Sequence, residues 1–384
     1  MSADVAVLLL ALLVGVTGVV GALAVRSEHD WHVPSPTSLR ESLHRHRRAI
    51  LQHLALTLVL VAILVAFTHF ENPEELWRRI EEANGWWLLA GVGFEVLSFV
   101  GYIALFRGLF VLGLPKMGWR ASAEVTLAGV VATRLFATAG AGGIALTGWA
   151  LHAAGMAARE TARGVASFLV ILYASYFATL AVVSLLLLTG ILSGAHAALA
   201  ALGLLVGGGV IALALTALLV PGDLEARAKR VAAGQGRFAK LATRVSTVPA
   251  VLSEAVALAI ERTRANVALL GWSLLWWIGD VAVLVVTFAA FGDVPAIGVI
   301  VFAYFLGHVG NALPIPGGVG GTEGGMIGVF VACGVDLSLA VVATLTYQVI
   351  SVWLPVLPGV AGFASLRRRV RGWKAEDAAV GVPG

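Results

Sequence analysis

Charge is scarce in this chain. Asp, Glu, Lys and Arg make up 12% of its 384 residues, about half the share a soluble domain carries. There is one cysteine, Cys333, which excludes an internal disulfide and a metal site built from thiolates. Catalytic signatures are missing as well. No Gly-x-x-x-x-Gly-Lys-Ser/Thr phosphate loop, His-Glu-x-x-His zinc helix or Gly-x-Ser-x-Gly nucleophile elbow occurs. An ATPase motor within the chain is thereby excluded. No cofactor and no metal are expected, and the protein is expected not to be an enzyme.

Apolar residues fill the sequence instead, at 59% with a mean hydropathy of +0.92. A soluble core cannot absorb that much apolar surface, so the fold class is an all-α polytopic membrane protein. Runs of spanning length lie at Val5–Val25, Ile50–Thr68, Trp86–Leu105, Val165–Ile191, Ala198–Val220, Ala268–Phe291 and Ser338–Ala364. These make about seven full spans. The first has Asp4 and no basic residue before it, so it reads as a retained span and not as a secretory signal. Two further apolar stretches, Ala121–Met156 and Ala296–Gly334, are too long for one span and carry Gly or Pro near their centres.

Basic residues set the orientation. With the N-terminus outside and the C-terminus inside, 23 of the 26 Lys and Arg fall in cytoplasmic loops, two (Arg78, Arg79) fall outside, and Arg134 lies within the membrane. That is the bias expected of a membrane protein, so the net charge of +4 does not point to nucleic acid. His44 to Arg48 reads as a juxtamembrane anchor to anionic lipid. The outer segment Asn72–Asn84 reads either as a surface helix, with Pro73 in its first turn, or as a solvated connector. The resulting divisions are 1–49 (extra span and basic linker), 50–220 (first membrane half, with hairpin 121–156), 221–265 (a helical cytoplasmic insert), 266–366 (second membrane half, with hairpin 296–334) and 367–384 (basic tail).

The halves resemble each other. Gly85-Trp86-Trp87-Leu88-Leu89 with Gly93 matches Gly271-Trp272-Ser273-Leu274-Leu275 with Gly279, and Thr138–Gly143 lines up with Leu313–Gly318. Charge places the ends of the two broken stretches on opposite faces, which defines an inverted-topology repeat. Loop charge does not distinguish re-entrant hairpins from pairs of crossing helices. Arms of about 15–18 residues, or about 22–27 Å, against a core of about 30 Å favour hairpins.

The most informative segment is Leu313-Pro-Ile-Pro-Gly-Gly-Val-Gly-Gly-Thr-Glu-Gly-Gly325. Pro314 and Pro316 with Gly317 and Gly318 break any helix, and broken backbone survives in lipid only inside protein or beside water. Few polar groups accompany it within the apolar runs: Glu95, Arg134, Asp280, His308, Asn311 and Glu323. Arg134 suits a lipid phosphate because its planar fork donates two parallel hydrogen bonds. Exposed N–H groups at Gly142-Gly143 and Gly317-Gly318, where half-helices restart, would add partial positive charge. Glu95, Asp280 and Glu323 suit a coupling cation or a basic headgroup, with His308 as a further charge partner. Asn311, Pro314, Pro316 and Glu323 join Arg134 and the two Gly-Gly pairs as candidate headgroup-binding residues. Alternatives stay open. Arg134 pairs equally well with Glu95 or Asp280 to fix packing, His308 reads better as a packing residue than a proton relay, and Gly317, Gly321 and Gly325 have small-residue contact spacing. The Trp86-Trp87 and Trp276-Trp277 pairs read as interfacial or packing aromatics.

Arg134-Leu-Phe-Ala-Thr-Ala-Gly-Ala-Gly-Gly-Ile-Ala-Leu-Thr147, Gly155 and Leu313–Gly325 resemble the paired signature segments of the flippase-like family, which includes the membrane half of bacterial lysylphosphatidylglycerol synthases. The likeness covers roughly Ile50 to Arg371, with Ala139 where many relatives have proline. It implies an integral inner-membrane fold with paired re-entrant elements and movement of phospholipid between leaflets. The soluble aminoacyltransferase domain of those synthases has no counterpart in this sequence, so aminoacyl transfer is not expected. The leading expectation is a bacterial inner-membrane lipid flippase acting on an anionic phospholipid or polyprenyl phosphate. Rival readings are a non-transporting partner that presents lipids to another enzyme, and a membrane transferase using a lipid-phosphate donor. Candidate partners beyond lipid are a second copy of the chain and a separate lipid-modifying enzyme.

Overall fold

The computed structural model describes residues 78–111, 114–135, 141–216, 218, 252–312 and 321–380. The expected spans Val5–Val25 and Ile50–Thr68, and most of the 221–265 insert, lie outside the described residues. Every described regular element is a helix. In chain order these are α1 (Gly85–Phe110), α2 (Trp119–Leu135), α3 (Ala141–Ala153), α4 (Ala158–Leu188), α5 (Ala197–Thr216), α6 (Ala268–Ala290), α7 (Ile297–His308), α8 (Gly321–Ala332), α9 (Leu337–Gln348) and α10 (Val356–Val380). Residues 252–265 of the insert are helical too, as are residues 78–81 before α1.

Five stretches are long and apolar enough to cross a membrane: α1, α4, α5, α6 and the run Leu337–Glu376. Their apolar residues are not confined to one stripe, as befits helices with lipid on one side and protein on the other. The last run reaches past the expected end at Ala364, so the basic tail continues as helix to Val380.

α1 and α6 form the central pair and run antiparallel. Asn84 at the start of α1 donates its backbone N–H to the Ala290 carbonyl at the end of α6 (2.9 Å), and Gly108 near the end of α1 abuts Leu269 at the start of α6. Their crossing is close because it is lined by glycine. A Cβ on Gly101 would lie 2.8 Å from the Trp272 carbonyl oxygen, and one on Gly279 would lie 2.8 Å from Ser98 Cβ. The Ser98 hydroxyl donates to the Trp276 carbonyl across this crossing (2.8 Å).

Each half then contains a pair of short antiparallel helices. α2 and α3 have 17 and 13 residues, while α7 and α8 have 12 each. At about 1.5 Å per residue these arms reach about 18–26 Å, short of a core about 30 Å thick. Gly143 sits against Gly129 and Thr133, and Gly325 sits against Gly307. The second arm of each pair ends alike. Gly155 (φ 103°) and Gly334 (φ 85°) take the left-handed conformation, and the next residue donates back, Met156 to Leu151 and Val335 to Phe330. This is the glycine stop that satisfies the last helical carbonyls.

The halves interlock reciprocally. The helix that follows the first pair, α4, packs against α7 of the second, and the α10 segment that follows the second packs against α2 of the first. Contacts between elements also define two ends. Asn84–Ala290, Arg79–Asp336 (3.3 Å) and Gly298–Leu192 mark one end. Arg107–Met117, Arg163–Glu254 (2.9 Å) and Gly164–Phe110 mark the other. The α2–α3 pair opens toward the second end and the α7–α8 pair toward the first.

Candidate functional site

Asp280 lies at mid-length in α6 and is 5% exposed. Its Oδ2 accepts hydrogen bonds from two tyrosine hydroxyls, Tyr304 of α7 at 2.5 Å and Tyr347 of α9 at 2.9 Å. Three helices from the second half thus converge on one carboxyl oxygen. His308 extends the cluster. Its ring lies tilted against Tyr304 with centroids 4.3 Å apart, and Nδ1–H donates to the Tyr304 carbonyl (2.8 Å). Nearby, the Tyr176 hydroxyl of α4 donates to the Phe305 carbonyl, and Trp277 Nε1–H donates to the Leu172 carbonyl (3.0 Å). Buried polar groups in hydrocarbon need such partners.

Glu95 of α1 is 4% exposed and accepts from the Ser351 hydroxyl at 3.1 Å. Ser351 belongs to a π-helical turn, Val349–Trp353, between α9 and α10. Pro355 explains the turn. It has no N–H for the Ser351 carbonyl, and its ring would clash with that carbonyl in a regular helix. The chain widens instead, with Leu354 donating to Val349 (2.9 Å). Single π turns of this kind recur at functional sites.

A third buried carboxylate, Glu124 in the first turns of α2, ties α2 to α10. It accepts from Arg369 at 2.9 and 3.0 Å, from Ser365 at 2.7 Å and from Arg120 at 3.3 Å. Gly359 lets the same two helices touch, since a Cβ there would lie 3.0 Å from the Leu127 carbonyl oxygen.

The residues expected from sequence fall into three groups. Asp280 and His308 share the tyrosine cluster, while Glu95 is bonded to a separate partner, Ser351. His308 is half-buried and bonded to the Tyr304 carbonyl. Gly142 and Gly143 lie in the first turn of α3. Glu323 occupies the first turn of α8, the favourable position for an anion on the helix dipole. Arg134 is the penultimate residue of α2 and Asn311 lies in the short 3-10 turn Val309–Ala312; their side chains lie outside the described residues, as do Pro314, Pro316, Gly317 and Gly318. Gly321 and Gly325 do make the small-residue contacts their spacing suggested, against Gly310 and Gly307.

The tryptophan pairs separate by role: Trp276 and Trp277 are buried packing residues, whereas Trp86 is 80% exposed at a helix start. Sequence reading missed Tyr304, Tyr347, Ser351 and Glu124. Tyr304 carried a signal, four residues before His308 on one helix face. Glu124 carried another, as an acid inside the apolar stretch 121–156 four residues after Arg120.

Apolar spanning helices around buried, hydrogen-bonded carboxylates define a multi-pass membrane protein. Residues 53–359 match the family described as Lysylphosphatidylglycerol synthase TM region, and the chain belongs to that family. The match covers both helix pairs and the Asp280 cluster, and it associates the chain with membrane lipid. No curated protein and no solved structure matches the chain.

Proposed function

We propose that this protein is a non-catalytic lipid carrier that moves an anionic phospholipid or lipid-linked phosphate between the leaflets of a bacterial inner membrane. The observation that carries the reading is the duplicated pair of short antiparallel helices, entering from opposite ends of an antiparallel α1–α6 pair. Arms of 12–17 residues turn back within the bilayer in this reading, so the two pairs are re-entrant hairpins of an inverted repeat. Carriers place their sites where such broken helices meet near the midplane. The two-ended sorting of contacts supports the charge-derived orientation. Arg79 and Asp336 share one end, both expected outside, and Arg163 and Glu254 share the other, both expected inside.

In this reading the headgroup enters beside the hairpin turns while the acyl chains stay in the bilayer. Arg134 next to the first turn meets the phosphate, the N–H groups opening α3 at Gly142 and Gly143 add partial positive charge, and Glu323 at the start of α8 takes a basic portion of the headgroup. Purified protein in liposomes with one fluorescent lipid per assay tests the proposal. Lipid loss from the outer leaflet, read by quenching, should proceed faster than in protein-free vesicles for an anionic lipid. Rates equal to protein-free vesicles for anionic phospholipid and polyprenyl phosphate alike, under every imposed ion gradient, would remove it.

A further inference from the structure

The two oxygens of the Asp280 carboxyl group are treated unequally. Oδ2 takes both tyrosine hydroxyls, while Oδ1 is fully buried without a hydrogen-bond partner. A carboxylate spreads its charge over both oxygens and needs donors at each; one bare buried oxygen on an ion is costly. A neutral carboxylic acid leaves a single O–H without an acceptor, which costs less than a bare buried ion. Its carbonyl oxygen accepts the two tyrosines, and its hydroxyl oxygen carries the proton. No Lys, Arg or His among the described residues forms an ion pair with Asp280.

The ligand chemistry follows from the space and the donors. At 5% exposure the group is out of reach of a bulky amine headgroup. A metal ion needs several converging ligands, and the described residues hold no group of three or more His, Cys, Asp or Glu that would supply them. One small cation suits a single bare oxygen. We propose that Oδ1 of Asp280 is a proton-binding site, occupied in the conformation described, and that this proton is the ion whose gradient drives lipid movement. The second half rests on the function proposed above; the first does not.

Binding adds one proton from water to Oδ1 and removes one negative charge from the membrane interior. Release returns that proton to water and leaves a carboxylate clamped at Oδ2 alone, which favours rearrangement of α7 and α9 around it. The groups facing the site from neighbouring helices are accounted for. From α7, His308 lies tilted against Tyr304. From α9, Tyr347 donates directly. From α4, the Tyr176 hydroxyl is committed to the Phe305 carbonyl. From α1, Glu95 holds the Ser351 hydroxyl. A carboxyl group of this kind inside a spanning segment is where proton relays are found.

Infrared spectroscopy of the purified full-length protein in lipid tests the site without any transport. Wild-type protein should show the carbonyl band of a protonated carboxylic acid that shifts in heavy water. Asp280→Asn should abolish it, and Tyr304→Phe or Tyr347→Phe should raise its frequency, because one donor to Oδ2 is gone. Identical spectra for wild type and Asp280→Asn would overturn the proton site. Should that variant fail to fold, a band unmoved by both tyrosine variants overturns it equally. In liposomes, wild-type lipid movement should change severalfold when a proton gradient is imposed, and Asp280→Asn should lose that response. Movement indifferent to the gradient overturns the coupling. A band present with no lipid movement under any gradient removes the carrier reading and leaves the proton site standing.

Discussion

Gly325 lies so close to Gly307 that a Cβ on it would sit 2.5 Å from the Gly307 carbonyl oxygen. The obstacle is backbone, which cannot swing aside as a side chain would. The same holds from the other direction, where a Cβ on Gly307 would lie 2.6 Å from the Met326 nitrogen. Glycine is therefore required at both positions for α7 and α8 to close. Gly307→Ala or Gly325→Ala should cost about 1–3 kcal/mol, the usual range for overpacking, read as a lower melting temperature in detergent. Gly324→Ala, with nothing within 4 Å, should leave it unchanged or slightly raised.

Glu124 and Arg369 form a two-bond polar link between α2 and α10. The Glu124 side chain is 8% exposed and that of Arg369 31%, so the pair is shielded on one side only. Glu124→Ala strands Arg369 and Ser365 and should destabilise by about 3 kcal/mol, the low end for a broken buried pair. Arg120→Ala removes a partner whose side chain is 81% exposed and should cost less than about 1 kcal/mol. Thermal unfolding of the two variants in one detergent checks the ranking.

Asp336 serves two partners. Its side chain caps α9 by accepting from the Leu339 N–H (2.9 Å) and pairs with Arg79 (3.3 Å). Loss of the cap in Asp336→Ala should cost about 1 kcal/mol. Asp336→Asn keeps a capping oxygen and should retain most of that stability. Added salt should narrow the gap between wild type and Asp336→Asn, because only the ion pair is screened.

Arg134→Gln and Glu323→Gln test the headgroup site in the liposome assay. Removing one charge-assisted contact worth about 1.5–3 kcal/mol should slow anionic lipid movement by at least about tenfold for Arg134→Gln. Arg134→Lys keeps the charge but loses the fork, so it should fall between the two. Glu323→Gln should matter more for a lipid with an amine in its headgroup than for a polyprenyl phosphate. Equal rates for Arg134→Gln and wild type, at equal protein incorporation, would show that Arg134 does not meet the phosphate.

Much of the architecture was legible before any coordinates. Hydrophobic run length is set by bilayer thickness, so Trp86–Leu105, Val165–Ile191 and Ala268–Phe291 were readable as spans to within a few residues. Gly155 and the Gly-rich stretch to Gly325 announced interruptions because proline and glycine act locally. Contacts within each helix pair were less legible, because Gly-rich strings align almost equally well at several offsets, whereas the structure sets Gly143 on Gly129 and Gly325 on Gly307. The polar cluster was half legible: Asp280 and His308 stand out as polar residues in apolar runs, but an aromatic residue in such a run looks like ordinary core. Which tyrosines turn their hydroxyls inward depends on three helices distant in sequence.

The sequence alone determined the membrane class and where the apolar runs are interrupted. Each of these follows from transfer of single residues or short segments between water and lipid, which is a local property. Tertiary structure decided that Tyr304 and Tyr347 share one oxygen of Asp280, that a π turn delivers Ser351 to Glu95, and that α4 packs on α7 and α10 on α2. Those are contacts between segments far apart in the chain, and their geometry exists only once the helices have packed.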